Sequence, residues 1–265
     1  SLIDSLRPYY PASNRAAMLR DISIDLQRTQ KNKISIKYIS DTGLQQAEVP
    51  TYEIEELQMY YWHKVNVNEK SYKLLDANIG YVTLANIMKK DIPEIKTTFK
   101  NTRGIVIDIR NYPYSSAISL ASYFVNEATS FVKFTIGNPN NPGEFIFLEG
   151  QKIKSDNVDY KGKLVILVNE NSQSASETIA MAFKATKNAI IIGSTTAGAN
   201  GDISHIPLPG DLKTAISGIG MYYPNGKETQ RVGIIPDIVV KPTIKGIKNG
   251  KDEVLERAIK IINQQ

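Results

Sequence analysis

The stretch Lys163-Leu-Val-Ile-Leu-Val168-Asn-Glu-Asn-Ser172-Gln-Ser174-Ala-Ser176-Glu177 runs straight into Thr178-Ile-Ala-Met-Ala-Phe-Lys-Ala185. The aliphatic run is too short for a helix and is bounded by turn-forming polar residues, so it reads as a strand buried on both faces. The residues after the polar turn read as a helix starting near Ser174. Strand, sharp polar loop, helix is the repeating unit of a parallel α/β sheet, where ligands sit outside the carboxyl ends of the strands. The serines at alternate positions lie at such an end. Ser174 followed three residues later by Glu177 fits a capping box. The same hydroxyl also sits where unpaired backbone N–H groups and the positive end of the helix dipole would steady an oxyanion. Cap and nucleophile both remain open on these residues alone.

The same alternation extends on either side. Asn78-Ile-Gly-Tyr-Val-Thr-Leu-Ala-Asn86 reads as a strand, with a helix around Ile92 to Phe99. Arg103-Gly-Ile-Val-Ile-Asp-Ile-Arg110 is an apolar strand ending in charge, with a helix around Ala117 to Asn126. Phe131 to Ile136 and Glu144 to Gly150 pair as antiparallel strands. Asn188-Ala-Ile-Ile-Ile-Gly-Ser194 is the next strand, and the segment from Lys248 to Gln264 closes the chain as a helix. The pattern predicts an α/β layered fold on a mostly parallel sheet, spanning residues 76–265.

Residues 1–51 differ. Pro11 to Gln30 carries an Asx/Ser start and no internal breaker, so a helix of about four turns from Ser13 is expected. Lys33-Ile-Ser-Ile-Lys-Tyr-Ile-Ser40 alternates strictly, which predicts a half-buried strand with Ile34, Ile36 and Tyr38 on one face. Asp41-Thr-Gly43 turns it into a second strand. One helix and two strands bury little core alone. Residues 52–75 are aromatic and mixed and read as a connector; His63 there is given a packing or surface role.

The 265 residues carry a formal charge of +5, with 42% hydrophobic content, no cysteine and two histidines, His63 and His205. The lysines are scattered and form no basic stripe with stacking aromatics, which argues against nucleic acid. Disulfides, thiolate sites and a cysteine nucleophile are excluded. Two histidines leave a zinc site short of its usual ligands, so neither metal nor cofactor is expected. No apolar run approaches the roughly 18–20 residues of a membrane-spanning helix. The opening Ser-Leu-Ile-Asp-Ser-Leu-Arg-Pro-Tyr-Tyr10 is polar and turn-like, unlike a secretory signal.

Four landmarks in order give a more specific reading. Ser172-Gln-Ser174-Ala-Ser176-Glu177 after a buried strand resembles the serine motif of the carboxyl-terminal processing (tail-specific) peptidases, a family that includes the tricorn core protease and retinoid-binding relatives. Asp108-Ile-Arg110-Asn-Tyr-Pro113 resembles the family's strand-end Asp-x-Arg-x-Asn-x-Gly-Gly. Gly193-Ser-Thr-Thr-Ala-Gly198 resembles its Gly-x-x-Thr-x-Gly loop. Tyr223-Pro-Asn-Gly226 with Gly233-Ile-Ile-Pro236-Asp237 resembles its late signature. The resemblance implies a crotonase/ClpP-like layered fold, and makes residues 1–51 the carboxyl-terminal half of a PDZ-like module, so that the chain is expected to begin inside that module. It implies a serine-type peptidase of the cell envelope, periplasm or exterior. Its substrate would be an extended or C-terminal polypeptide segment, bound without metal or nucleic acid. Ser174 would be the nucleophile, the Ala175 N–H one oxyanion donor, and the backbone at Tyr114 and Ser115 the second.

The chain also departs from the family. The processing peptidases activate their serine with a lysine, and that position is Ala199 here. The tricorn branch uses a histidine and a glutamate, and the glutamate position is Gln230. If Asp202-Ile-Ser-His-Ile-Pro-Leu208 is a strand, His205 shares the parity of Gly201 and Ile203 and is the candidate base within the chain. Asp202 is expected to shape its turn, Lys184 to lie on a solvated helix face, and Asp108 with Arg110 to brace the strand end. The rival reading is a catalytically inactive member of the fold that binds a peptide or an apolar ligand.

Overall fold

A computed structural model describes residues 2–53, 56, 69–113, 115–158 and 160–264. His63 and Tyr114 lie outside the described residues. In chain order the elements are α1 (Leu2–Leu6), a 3-10 turn at Arg7–Tyr9, α2 (Arg15–Asp25), β1 (Lys33–Ser40), β2 (Gly43–Pro50), β3 (Tyr72–Leu75) and β4 (Ile79–Thr83). They continue with α3 (Asp91–Thr98), β5 (Gly104–Asp108), a 3-10 helix at Ser115–Phe124, β6 (Thr129–Gly137), β7 (Phe145–Ile153), β8 (Lys163–Val168) and α4 (Ala175–Lys184). The last are β9 (Ala189–Gly193), β10 (Ile203–Leu208), β11 (Leu212–Ser217), β12 (Gly220–Tyr222), β13 (Ile238–Val239), α5 (Ile244–Lys248) and α6 (Glu253–Asn263).

Six strands form the central sheet in the order β13-β9-β8-β5-β4-β3. The pairs β4–β5, β5–β8, β8–β9 and β9–β13 are parallel, and β3 alone joins antiparallel at the edge. The mostly parallel sheet expected from the buried aliphatic runs is therefore present. Side chains alternate across it, as the two-residue strand period requires. Ile105 and Ile107 of β5 and Leu164, Ile166 and Val168 of β8 point into the larger core with Phe99, Leu120, Ile179 and Phe183. Val106, Val165 and Leu167 point the other way, onto Val254, Ala258, Ile261 and Ile262 of α6. Burying each such side chain contributes about 1.5–3 kcal/mol. The sheet is covered on both faces, which fixes where its strands end.

Several expectations need correcting. The central sheet reaches back to Tyr72, inside the segment read as connector, because Ala77 and Asn78 adopt positive φ (59° and 57°) and turn β3 into β4. The segment after Pro113 is a 3-10 helix over Ser115–Phe124; within it Ser122 Oγ donates to the Ser119 carbonyl, three residues back. Helix α2 spans eleven residues, about three turns, and starts after Asn14, which caps it. Strand β1 is not half-buried: among the described residues it pairs with β2 alone, in a two-stranded sheet, and Ile36 and Tyr38 are exposed. A second such hairpin, β10–β11, is exposed at every residue. Strands β12, β6 and β7 form a separate antiparallel sheet beside the core. Among the described residues no helix is long and apolar enough to cross a membrane, and no cluster of acidic or histidine side chains suits a metal ion.

Candidate active site

The carboxyl ends of β5 and β8 lie side by side, since Asp108 pairs with Leu167 in the parallel register. The chain leaves β8 at Val168 and makes a turn in which the Asn171 N–H donates to Asn169 Oδ1 (2.9 Å) and the Ser172 N–H to the Asn169 carbonyl (2.9 Å). It then enters α4 through the serines.

The three serines do different work. Ser172 is fully buried and its Oγ donates to the Ile109 carbonyl at 2.7 Å, just past the end of β5. Ser176 is also fully buried, and its Oγ donates to the Asn111 carbonyl at 2.5 Å. The outer pair thus ties the serine loop to the strand end next door. Ser174 is half-buried, and its backbone stands at φ 54°, ψ −112°. That is a strained conformation for a residue with a Cβ, costing about 1–3 kcal/mol, and it persists only where its surroundings hold it. Ser174 and Glu177 stand in a capping-box arrangement, in which the Ser174 side chain faces the Glu177 N–H without making a full cap hydrogen bond. The N–H of Glu177 goes to the Ser174 carbonyl at 2.9 Å. Among the described residues no acceptor takes the Ser174 hydroxyl proton, and the group stands at the amino end of a ten-residue helix, where first-turn N–H groups and the dipole favour negative charge. Ala175 is the first residue of that helix, and Ser115 opens the 3-10 helix beyond the β5 end.

Glu177 fills its own half of the capping arrangement and more. Fully buried, its carboxylate accepts from the Ser174 N–H (3.2 Å), the Thr196 hydroxyl (2.5 Å), the Gly198 N–H (2.7 Å) and the Ala199 N–H (3.0 Å). Burial pushes its carboxyl above the usual range, outweighing the donors from Thr196, Gly198, Ser174 and Ala199. With four donors on two oxygens, Glu177 is a positioning group.

The loop from Gly193 to Gly201 closes the other side. Gly193 has φ +127°, and a Cβ there would lie 2.0 Å from the Val168 carbonyl oxygen, so this close crossing needs glycine. Thr196 Oγ1 accepts from the Ile234 N–H (2.7 Å), which docks the Gly233-Ile-Ile-Pro-Asp signature onto the loop. Ala199, where the resemblance would place the family's lysine, has no proton-accepting group. Gln230 is a loop strut: its amide donates to the carbonyls of Asn200 (2.7 Å) and Ile219 (2.9 Å), and its oxygen accepts from the Met221 N–H (3.2 Å). Asp202 accepts from its neighbour's N–H at 2.9 Å, shaping the turn as expected. His205 lies mid-strand in β10 opposite Ala215; it is exposed, and no hydrogen bond joins it to Ser174. Lys184 is not merely solvated, because it pairs with Asp237 of the late signature. Asp108 and Arg110 brace the strand end: Arg110 holds Asp108 and Asp252 together, and the Tyr81 hydroxyl adds a bond to Asp108 at 2.8 Å.

Sequence reasoning did not foresee that α2 reaches this site. Ser13 Oγ donates to the Ala197 carbonyl (2.6 Å), Asn14 Nδ2 to the Thr196 carbonyl (2.8 Å), and Arg20 to the Glu170 carbonyl (2.9 Å). The residues are visible in the sequence, but their partners lie more than a hundred positions away, and no periodicity signals such a pairing.

The chain is similar to known proteins in sequence and in fold. Over 212 residues the chain is 26% identical to a carboxy-terminal-processing protease of Bartonella bacilliformis, covering 72% of this chain and 45% of that protein. Over 218 residues it is 28% identical to a "Probable CtpA-like serine protease" of Staphylococcus haemolyticus, covering 75% and 42%. The chain thus spans under half the length of these relatives. Among solved structures, mature CPAF superposes with a TM-score of 0.72 at 14% identity, over all of this chain and 76% of that one. The photosystem II D1 C-terminal processing protease does so with a TM-score of 0.51 at 18% identity, over 89% and 64%. The model of peptidase family S41 matches residues 78–240, which contain all four landmarks, and the chain belongs to that family.

Proposed function

We propose that the chain forms the core of a serine peptidase that cleaves extended or C-terminal polypeptide segments through an acyl-enzyme on Ser174. The observation that carries this reading is the division of labour among the serines: Ser172 and Ser176 donate to backbone carbonyls, while Ser174 is held at a strained φ with its hydroxyl proton given to no acceptor among the described residues. In the reaction Ser174 Oγ attacks the scissile carbonyl and its proton passes to a base. The resulting oxyanion is met by the N–H of Ala175 and by a second N–H at Ser115, donors of a kind worth about 3–4 kcal/mol each. Collapse expels the amine with a proton, and water then hydrolyses the ester. Ala199 and Gln230 supply no base. His205, the single histidine among the described residues, is the candidate base left within this chain, and His205→Ala tests that role.

The finer fold reading is part of the same proposal. Helices packed on both faces of a parallel sheet support a crotonase/ClpP-like core, and helix α2 with the β1–β2 hairpin after it supports a PDZ-like half-module over residues 1–51. A cell-envelope, periplasmic or extracellular setting follows from the relationship to processing peptidases. The test is incubation with a mixed pool of unfolded peptides and mapping of new termini by mass spectrometry. The expected result is cleavage by the wild type that disappears in Ser174→Ala of equal thermal stability. No Ser174-dependent cleavage would sink the reading and favour the inactive, ligand-binding alternative.

A further inference from the structure

The amino-terminal helix is not a bystander to the serine loop. From Asn14 a chain of hydrogen bonds runs to the nucleophile's own backbone. Asn14 Nδ2 donates to the Thr196 carbonyl (2.8 Å), the Thr196 hydroxyl donates to Glu177 (2.5 Å), and Glu177 accepts the Ser174 N–H (3.2 Å). Ser13 fixes the adjacent Ala197 carbonyl (2.6 Å), and the largely buried Arg20 holds the Glu170 carbonyl (2.9 Å) in the turn that precedes the serines. The helix therefore grips the loop on both sides of Ser174. Its inner face of Ala17, Met18 and Ile22 is buried, so the grip is backed by packing. Gly198 is matched to it: at φ +65° it leaves a Cβ position only 2.9 Å from Asn14 Nδ2.

We propose that Asn14 is a positioning residue for Ser174. It sets the Thr196–Ala199 loop and, through Glu177, the strained turn that presents the hydroxyl. This rests on the peptidase reading of Ser174. One side chain carries two separable jobs. Asn14 Oδ1 caps α2 by accepting the Ala17 N–H at 3.0 Å, while Nδ2 serves the loop. Asn14→Asp keeps a capping oxygen and removes the donor outright. Asn14→Ser keeps a capping oxygen on a side chain one atom shorter, which draws its hydroxyl back from the Thr196 carbonyl. In both, the helix keeps its cap while the loop loses its anchor.

The experiment compares the rate at which a fluorophosphonate acylates Ser174 in the wild type and the two variants, with Ser174→Ala as the blank and melting temperature recorded for each. The expected result is acylation slowed about 10- to 100-fold in both variants at nearly unchanged melting temperature, the scale of loss that small misplacements near a reacting atom produce. Equal rates overturn the proposal, and so does a rate that falls only in step with stability. If the wild type itself is not acylated, the peptidase reading has failed. Amide hydrogen exchange then decides the positioning claim: faster exchange at Gly198 and Ala199 in both variants sustains it, and unchanged protection sinks it.

Discussion

Two neighbouring strand ends carry buried carboxylates and treat them in opposite ways. At the end of β5, Asp108 is met by a full positive charge, because Arg110 bonds both of its oxygens and reaches on to Asp252 at the start of α6. At the end of β8, Glu177 meets only neutral donors, three backbone N–H groups and one hydroxyl. The first arrangement joins a strand to a helix across the sheet and is a matter of fold. The second gathers the backbone of Ser174, Thr196, Gly198 and Ala199 around one carboxylate and is a matter of loop shape. A guanidinium between β8 and the Gly193–Gly201 loop would neutralise Glu177, but it would take up space beside the serine. Dipoles do the holding there at the cost of an incompletely compensated charge.

The largest expected effect comes from removing the cation at the first end. Arg110→Ala leaves Asp108, which is 5% exposed, without its partner, and breaking a buried pair on one side typically costs about 3–5 kcal/mol. Denaturant unfolding should report a loss of that size. A loss near zero would mean that water replaces the guanidinium and that the β5 end is less sealed than the structure shows.

At the second end, Glu177→Gln exchanges one acceptor oxygen for an amide group that faces N–H donors, and should cost about 1–3 kcal/mol, as an unsatisfied buried group does. It should also abolish Ser174-dependent cleavage, because either the Ser174 and Ala199 N–H groups or the Thr196 hydroxyl and Gly198 N–H, each pair sharing one oxygen, lose their acceptor. The pH dependence has a definite sign. Burial holds the Glu177 carboxyl above its ordinary value, so the fold prefers the protonated form. Its contribution is complete below the ordinary carboxylate range and is lost as pH rises through the raised value. The stability gap between wild type and Glu177→Gln should therefore narrow as pH rises through that window. A gap that widens with pH would show the dipoles overcompensating the charge.

The β5 and β8 ends were also unequal in legibility. The aliphatic runs at Ile105–Ile107 and Leu164–Val168 have one physical solution, a strand buried on both faces, and the order of strands and helices came from them. The hairpin β10–β11 carried a readable turn at Pro209-Gly-Asp211, with positive φ at Gly210 and Asp211, but exposed strands have no core face to mark their register. At the site, Ser174 and Glu177 were visible because sequence neighbours share a helix turn. The division of labour among the serines was not, since whether Ser172 and Ser176 find carbonyls depends on β5, some sixty positions earlier. The bonds from Ser13, Asn14 and Arg20 were hidden for the same reason.

The smallest effect isolates the charge that the two ends do not share. Asp252 both caps α6, accepting the Leu255 N–H at 3.0 Å, and pairs with Arg110. Burial works against its ionisation, but the Arg110 hydrogen bonds and charge, with the N–H groups of Leu255 and Val254, hold its carboxyl below the usual range. Asp252→Asn keeps a capping oxygen and removes the charge. The side chain is 40% exposed, so solvent screens the pair and the expected loss is at most about 1 kcal/mol at neutral pH. A depressed carboxyl contributes stability above the ordinary range and gives it up as pH falls through its folded value. Wild type and Asp252→Asn should therefore converge in acid, where wild type and Glu177→Gln stand furthest apart. Thermal melts of both variants across the same acid series would show the two gaps moving in opposite directions. Parallel movement would mean that the cation at Arg110, rather than the local dipoles, governs both carboxylates.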